Sequence, residues 1–286
     1  MRRLLTYALL CAAVFICVVV AAGLLLTAPA RAVIGPPPPD LQAKSVEIPS
    51  PSGAMLQGWQ VPGQPGMGAV VLFHGVRRNR LSMVRRARLL KQAGFSVLLI
   101  DFQASGESSG QRITFGHLEA LDARAAIDYV RHELPDEKIG AIGVSLGGAA
   151  ALLGPTALPV DALVLESVYP DIHNALTHRL RVYLGPIGPV FAPPLEMLFK
   201  PILGMSMDQL RPIQGMSRLS IPVLVATGTA DQRTPEAEAK AIFAQAPEPK
   251  RFWAVEGAAH VDLEEYAPED YRRVVVQFLT ETLRRQ

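Results

Sequence analysis

Residues 140–149, Gly-Ala-Ile-Gly-Val-Ser-Leu-Gly-Gly-Ala, admit very few folds. An apolar run enters a glycine, a serine follows two positions on, and a second glycine follows two positions after that. The pattern reads as the end of a buried strand, a sharp turn carrying Ser145, and the first turn of a helix rich in small residues. So sharp a turn forces Ser145 into a sparsely populated backbone conformation that lifts its Oγ above the sheet edge. It also presses strand against helix, leaving room only for hydrogen at Gly143 and Gly147. The free N–H groups at the helix start then face whatever approaches the hydroxyl. The segment is therefore expected to be a nucleophile elbow and not an inert glycine-rich turn.

The rest of the chain supplies the sheet such an elbow needs. Residues 44–61 hold two extended segments around Pro49-Ser50-Pro51-Ser52-Gly53, a hairpin signature. Apolar strands are expected at 69–73, 96–100, 162–165, 223–226 and 251–255. Helices are expected at 81–93, 114–133, 236–245 and 269–284, the second presenting Leu118, Leu121, Ala125 and Tyr129 on one face. Continuous apolar strands alternating with helices imply an α/β domain with a mostly parallel sheet covered on both faces. Residues 167–212 break the alternation with a long, apolar, proline-rich insertion. Connections of that length are usually functional, and this one is expected to be a cap of short helices, a lid over the catalytic edge.

Residues 4–26 are almost continuously apolar and follow Arg2 and Arg3. That run is long enough to span a bilayer as a helix and exceeds the core of a cleaved signal peptide. Residues 1–30 are thus expected to be a membrane anchor, with cleavage at Ala28-Pro29-Ala30 as the alternative. The arginines would keep the N-terminus in the cytoplasm, so the domain at 44–286 lies on the extracytoplasmic side, or is periplasmic or secreted if cleaved. Residues 31–43, with Pro36 to Pro39, read as a stiff spacer. Both cysteines, Cys11 and Cys17, lie in the apolar run, which excludes thiol chemistry from the globular part. A formal net charge of +2 gives no argument for nucleic acid. No metal-binding pattern is present, and no cofactor is expected.

A serine hydroxyl needs a base to take its proton and a carboxylate to orient that base, in the chain order Ser, acid, His. His173 and His178 fall within the insertion; His260 follows the last strand on a loop and is the expected base. Asp231, on a loop after the strand at 223–226, is the expected acid, with Glu166 as its competitor. Val76 and Leu146 are expected to offer backbone N–H groups to an oxyanion. His74 and Asp101 read as loop-fixing residues. Arg77, Arg78, Arg80, Arg85, Arg86 and Arg88 read as a solvated face, with an anionic substrate or headgroup as the other possibility.

Taken together, His74-Gly75, Asp101 with Ser105-Gly106-Glu107-Ser108-Ser109-Gly110, Gly143-Val144-Ser145-Leu146-Gly147, Gly228-Thr229-Ala230-Asp231 and Gly257-Ala258-Ala259-His260 resemble the α/β-hydrolase superfamily. They are most similar to bacterial, often membrane-anchored hydrolases of the serine aminopeptidase/monoacylglycerol-lipase-like type. The loop Gln103-Ala104-Ser105-Gly106 departs from the Arg-Ala/Gly-His-Gly of many relatives. The resemblance implies the α/β-hydrolase fold, Ser145 as nucleophile, Asp231 as acid, His260 as base, and oxyanion amides at Val76 and Leu146. Serine at the elbow argues against dehalogenase and epoxide hydrolase chemistry. The expected activity is cleavage of a small-molecule ester through an acyl-enzyme. An amidase on the same machinery and a noncatalytic binding protein of the same fold are the alternatives.

Overall fold

The computed structural model describes residues 1–285. Eight strands form one sheet: β1 (Lys44–Pro49), β2 (Met55–Val61), β3 (Ala69–Phe73), β4 (Ser96–Ile100), β5 (Ile139–Val144), β6 (Ala162–Glu166), β7 (Val223–Gly228) and β8 (Lys250–Val255). Their order is β8-β7-β6-β5-β3-β4-β2-β1, and β2 alone runs against the others. Strand β3 shows why the central runs are apolar throughout. Ala69, Val71 and Phe73 enter the core on one face while Val70 and Leu72 enter the core on the other. Fully burying a side chain of this size stabilises the fold by about 1.5–3 kcal/mol.

Helices cover both faces, as the alternation requires. Helix α1 (Arg2–Thr27) precedes the domain, and α2 (Val84–Gln92), α3 (His117–Glu133) and α4 (Leu146–Leu153) follow among the strands. The buried side of α3 is rolled away from the expected one. Leu118, Leu121 and Tyr129 are half-buried, whereas Ala120, Ala123, Ile127 and Val130 are buried, because alanines let α3 approach the sheet and α4 closely. The insertion folds as α5 (Ile172–Leu184), a tighter turn at Gly185–Phe191, then α6 (Ala192–Glu196), α7 (Phe199–Leu203) and α8 (Pro212–Met216). Prolines at 186, 189, 193, 194 and 201 limit the segments after α5 to a turn or two, since each lacks an N–H to continue a helix, while α5 itself, free of proline, runs for 13 residues. Helix α9 (Glu236–Ala244) and residues 268–283 complete the layers.

Helix α1 is long and apolar enough to cross a membrane, with a mean hydropathy of 3.0 over its most apolar window. Its C-terminal half meets the insertion: Gly23 faces Leu198 and Ile202, and the Phe15 and Phe191 rings lie 6.4 Å apart. The segment after it, expected to be a stiff spacer, is bonded to the domain along its length. Ala30 and Arg31 pair in parallel with Ser105 and Gly106, and Ile34 and Gly35 donate backbone N–H groups to Glu107 at 2.9 and 3.1 Å. Farther on, Asp40 holds Arg88 at 2.6 Å. Polyproline stiffness set the expectation; backbone donors left free by an extended chain, taken up by the domain's carboxylates and strand edges, correct it.

Candidate active site

Strand register brings distant residues to one edge. Phe73, Gly143, Leu165, Val225 and Phe252 stand level across β3, β5, β6, β7 and β8. The chain leaves each of these parallel strands toward the same side, so His74, Ser145, Ser167, Asp231 and His260 all follow on that rim. In doubly wound sheets this carboxyl edge is where ligands bind.

Ser145 sits at φ 50°, ψ −109°, between β5 and α4, and its N–H donates to the Glu166 carbonyl at 2.8 Å. The crowding inferred for the turn is measurable. A Cβ at Gly143 would lie 2.5 Å from the Gly148 nitrogen, and one at Gly147 would lie 2.2 Å from the Phe73 oxygen. Neither is tolerable, because backbone cannot retreat from backbone here. Leu146 opens α4, where N–H groups have no intrahelical acceptor. Val76 lies in the turn closed by the Arg78 N–H on the Gly75 carbonyl. Val76 and Leu146 line the same cavity as Ser145 and His260.

Asp231 is buried and saturated with donors. Its Oδ1 accepts the Arg233 and Thr234 N–H groups at 2.8 and 2.9 Å, and its Oδ2 accepts the Thr234 hydroxyl at 2.7 Å. The same Oδ2 stands 2.7 Å from His260 Nδ1. Burial pushes the Asp231 carboxyl up, but the hydrogen bond and charge of His260 and the Thr234 donors outweigh it, and the net displacement is downward. An ionised carboxylate only accepts, so Nδ1 carries a proton, and Nε2 is the nitrogen without a protein partner among the described residues. Thr234 is the residue that motif reading missed; an Asp followed three places on by Thr is the turn signal that would have found it.

Glu166 is not beside His260. Its carboxylate is buried against Arg86 at 2.6 Å and the Tyr271 hydroxyl at 2.5 Å, and Arg86 also holds Asp262 at 2.7 Å. The arginine run is a solvated face only in part: Arg77, Arg78, Arg85 and Arg88 are exposed, but Arg86 and Arg80 are buried, Arg80 pairing with Asp101 and Glu107 while lying over the Trp59 ring. Arg77 donates to the Leu25 and Ala28 carbonyls at the end of α1. His74 bridges two loops of the rim, accepting the Phe102 N–H on Nε2 at 3.0 Å and donating Nδ1–H to the Gly75 carbonyl at 2.8 Å. Burial lowers its pKa and favours this neutral form. Asp101 fixes the backbone of Arg80 and Glu107 at 2.7 and 2.9 Å. His173 and His178 pair with Glu196 and Glu238.

The cavity above Ser145 opens to solvent and is lined mainly by apolar side chains, with a few polar groups among them. Its walls come from three regions: the elbow and its neighbouring loops, the insertion through residues such as Ile172, Leu195 and Phe199, and α1 through Gly23, Leu26 and Thr27. Two guanidinium groups, Arg179 and Arg233, also reach it. The end of α1 as a cavity wall had no signal in the sequence.

Comparison with known proteins places this geometry. Residues 64–218 match the family described as serine aminopeptidase, S33. The Mycobacterium tuberculosis protein Rv2307c is 30% identical over 243 residues, covering 84% of this chain and 80% of its own. The Arabidopsis thaliana alpha/beta hydrolase domain-containing protein WAV2 is 26% identical over 251 residues, covering 82% and 78%. Among solved structures, the Pyrococcus furiosus esterase Pf2001 superposes with a TM-score of 0.75 at 23% identity, covering 90% of this chain and 98% of that one. With a mostly parallel eight-stranded sheet, a sharp serine turn on its carboxyl rim and these matches, the chain belongs to the serine aminopeptidase S33 family of α/β-hydrolases.

Proposed function

We propose that this hydrolase cleaves carboxylic esters through an acyl-enzyme on Ser145, with His260 as base and Asp231 as acid. The reading is carried by one observation: Ser145 and His260 line one apolar cavity while Asp231 holds the far side of the imidazole at 2.7 Å. Ser145 Oγ attacks the ester carbonyl as His260 Nε2 takes its proton. The Val76 and Leu146 N–H groups receive the negative charge on the carbonyl oxygen, each worth about 2.7–4 kcal/mol of barrier in such sites. The imidazolium, stabilised by ionised Asp231, gives the proton to the leaving alcohol. Water then enters, loses a proton to Nε2, and attacks the acyl group; collapse releases the acid and restores Ser145.

An aminopeptidase must hold a substrate ammonium near the scissile bond. The cations Arg179 and Arg233 in the cavity wall oppose that and favour an ester. Helix α1 is read as a retained anchor with the domain on the extracytoplasmic side. Supporting retention, the Arg77 bonds and the Ala30–Arg31 pairing build the residues around the alternative cleavage site into the domain. Exposed Tyr183, Leu184, Ile187 and Val190 on the insertion suit a lipid surface.

A fluorophosphonate probe on full-length protein in membranes tests both parts. The expected result is labelling in the carbonate-washed membrane fraction, absent in Ser145→Ala. A folded wild-type protein that takes no label refutes the nucleophile, and label recovered in the soluble fraction refutes the retained anchor.

A further inference from the structure

Arg179 and Arg233 differ from the chain's two buried arginines, Arg80 and Arg86, in what they hold. Arg80, Arg85, Arg86, Arg88 and Arg251 each hold a carboxylate. Among the described residues, neither Arg179 nor Arg233 makes an ion pair, although both are half-buried in the wall of the reaction cavity. The carboxylates nearest them in sequence are engaged elsewhere. Asp231 is held by His260 and Thr234, Glu238 faces His178 at 2.8 Å, and Asp171 caps α5 by accepting the Asn174 N–H. Arg233 lies over the Tyr183 ring at 5.7 Å with its Nη2 toward the hydroxyl at 3.4 Å. Arg179 feels burial first and Arg233 second, and both lower its pKa.

Two like charges lining one largely apolar cavity repel each other and are poorly solvated. The arrangement becomes favourable when an anion arrives with acceptor oxygens for both guanidinium forks. Resting on the esterase reading, we propose that Arg179 and Arg233 clamp an anionic group, phosphate or carboxylate, carried by an ester whose apolar chain fills the cavity. One clamp residue rides on α5 of the insertion; the other follows Asp231 by two positions and shares its loop with the acid. An anion bound there ties the insertion to the catalytic rim and sets the ester against Ser145. Substrate selection and closure of the cavity are then one event.

The test uses full-length protein in dodecyl maltoside and three lauroyl esters: of glycerol, of glycerol phosphate and of glyceric acid. The expected result is a kcat/KM at least tenfold higher for an anionic ester than for the neutral one, the two anionic arms separating phosphate from carboxylate. That ratio falls at least tenfold in Arg179→Gln or Arg233→Gln, approaches one in the double variant, and is partly kept in Arg179→Lys. Equal rates on all three esters, or a ratio unchanged in the double variant, overturn the clamp. Should none of the esters react and the fluorophosphonate leave Ser145 unlabelled, the esterase reading itself fails, and binding decides the clamp alone. Dodecyl phosphate or dodecanoate must then bind Ser145→Ala protein at least tenfold tighter than dodecanol, and lose that margin in the double arginine variant; equal binding overturns the proposal.

Discussion

Glu166 and Asp231 leave adjacent strands, β6 and β7, at the same edge of the sheet, and each carboxylate meets a nitrogen-bearing side chain. Glu166 and its partner Arg86 are both 1% exposed; the buried Tyr271 hydroxyl and the partly exposed Asp262 complete their network. Asp231 is equally buried, but its partner His260 is 18% exposed and keeps one nitrogen toward the cavity. The first pair is closed at both ends and can only hold the C-terminal helices to the sheet. The second is closed at the carboxylate and open at the imidazole, the arrangement that the proposed proton transfer needs. Two carboxylate pairs one strand apart thus differ in the partner: a buried guanidinium that can only donate, or a partly exposed imidazole with a second nitrogen free of a protein partner among the described residues.

The contrast can be broken by substitution. Ser145→Ala, which removes the group the open pair would serve, should lower kcat on a neutral ester by about 10⁶-fold with the melting temperature nearly unchanged. Asp231→Asn should cost about 10⁴-fold by letting the imidazole take the wrong tautomer. Steady-state rates and thermal melts on the same preparations check both. Glu166→Gln should do the reverse. A buried guanidinium deprived of its counter-charge costs about 3–5 kcal/mol, read as a melting temperature lower by about 6–20 °C, with much of the rate per folded molecule retained. A large rate loss without destabilisation would erase the distinction between the pairs.

Smaller effects probe the outer walls. Removing residues 1–22 keeps the last turn of α1, whereas removing residues 1–29 strips Gly23, Leu26 and Thr27 from the cavity. In detergent the longer truncation should raise KM for a long-chain ester about tenfold more than the shorter one, consistent with exposing roughly one large apolar side chain's worth of wall. The smallest effect concerns the strap after α1. The Gly35 and Ile34 N–H groups, then Arg80, pull the Glu107 carboxyl from its ordinary 4.5 to about 2. A depressed carboxyl stabilises above its unfolded pKa and loses that contribution as pH falls through the folded one. Protection of residues 32–38 from proteolysis should therefore hold at neutral pH and disappear between about pH 4.5 and 2. In Glu107→Ala it should be weak at every pH.

Much of the architecture was legible because it rests on local rules. Apolar runs bounded by glycine and proline marked the strands, and proline spacing marked the insertion as short helices. The steric demand at Gly143 and Gly147 was readable from residue size alone. For the candidate site, motif order singled out Ser145, Asp231 and His260, and register shows how positions so far apart in the chain share a rim. The misread regions share a cause. Six arginines in a row of positions look alike in a sequence, yet Arg86 is buried in an ion network and Arg88 reaches only a surface aspartate.

What the sequence by itself determined is therefore the sheet, the strained serine turn and a helix apolar enough for a bilayer, since these follow from side-chain size, hydropathy and backbone sterics within a few residues. Tertiary structure decided which charges are sealed, that α1 ends as a wall of the cavity beside Ser145, and that Arg179 and Arg233 line that cavity without an ion-pair partner among the described residues. Electrostatic roles depend on distance and dielectric between groups far apart along the chain, and only the fold sets either.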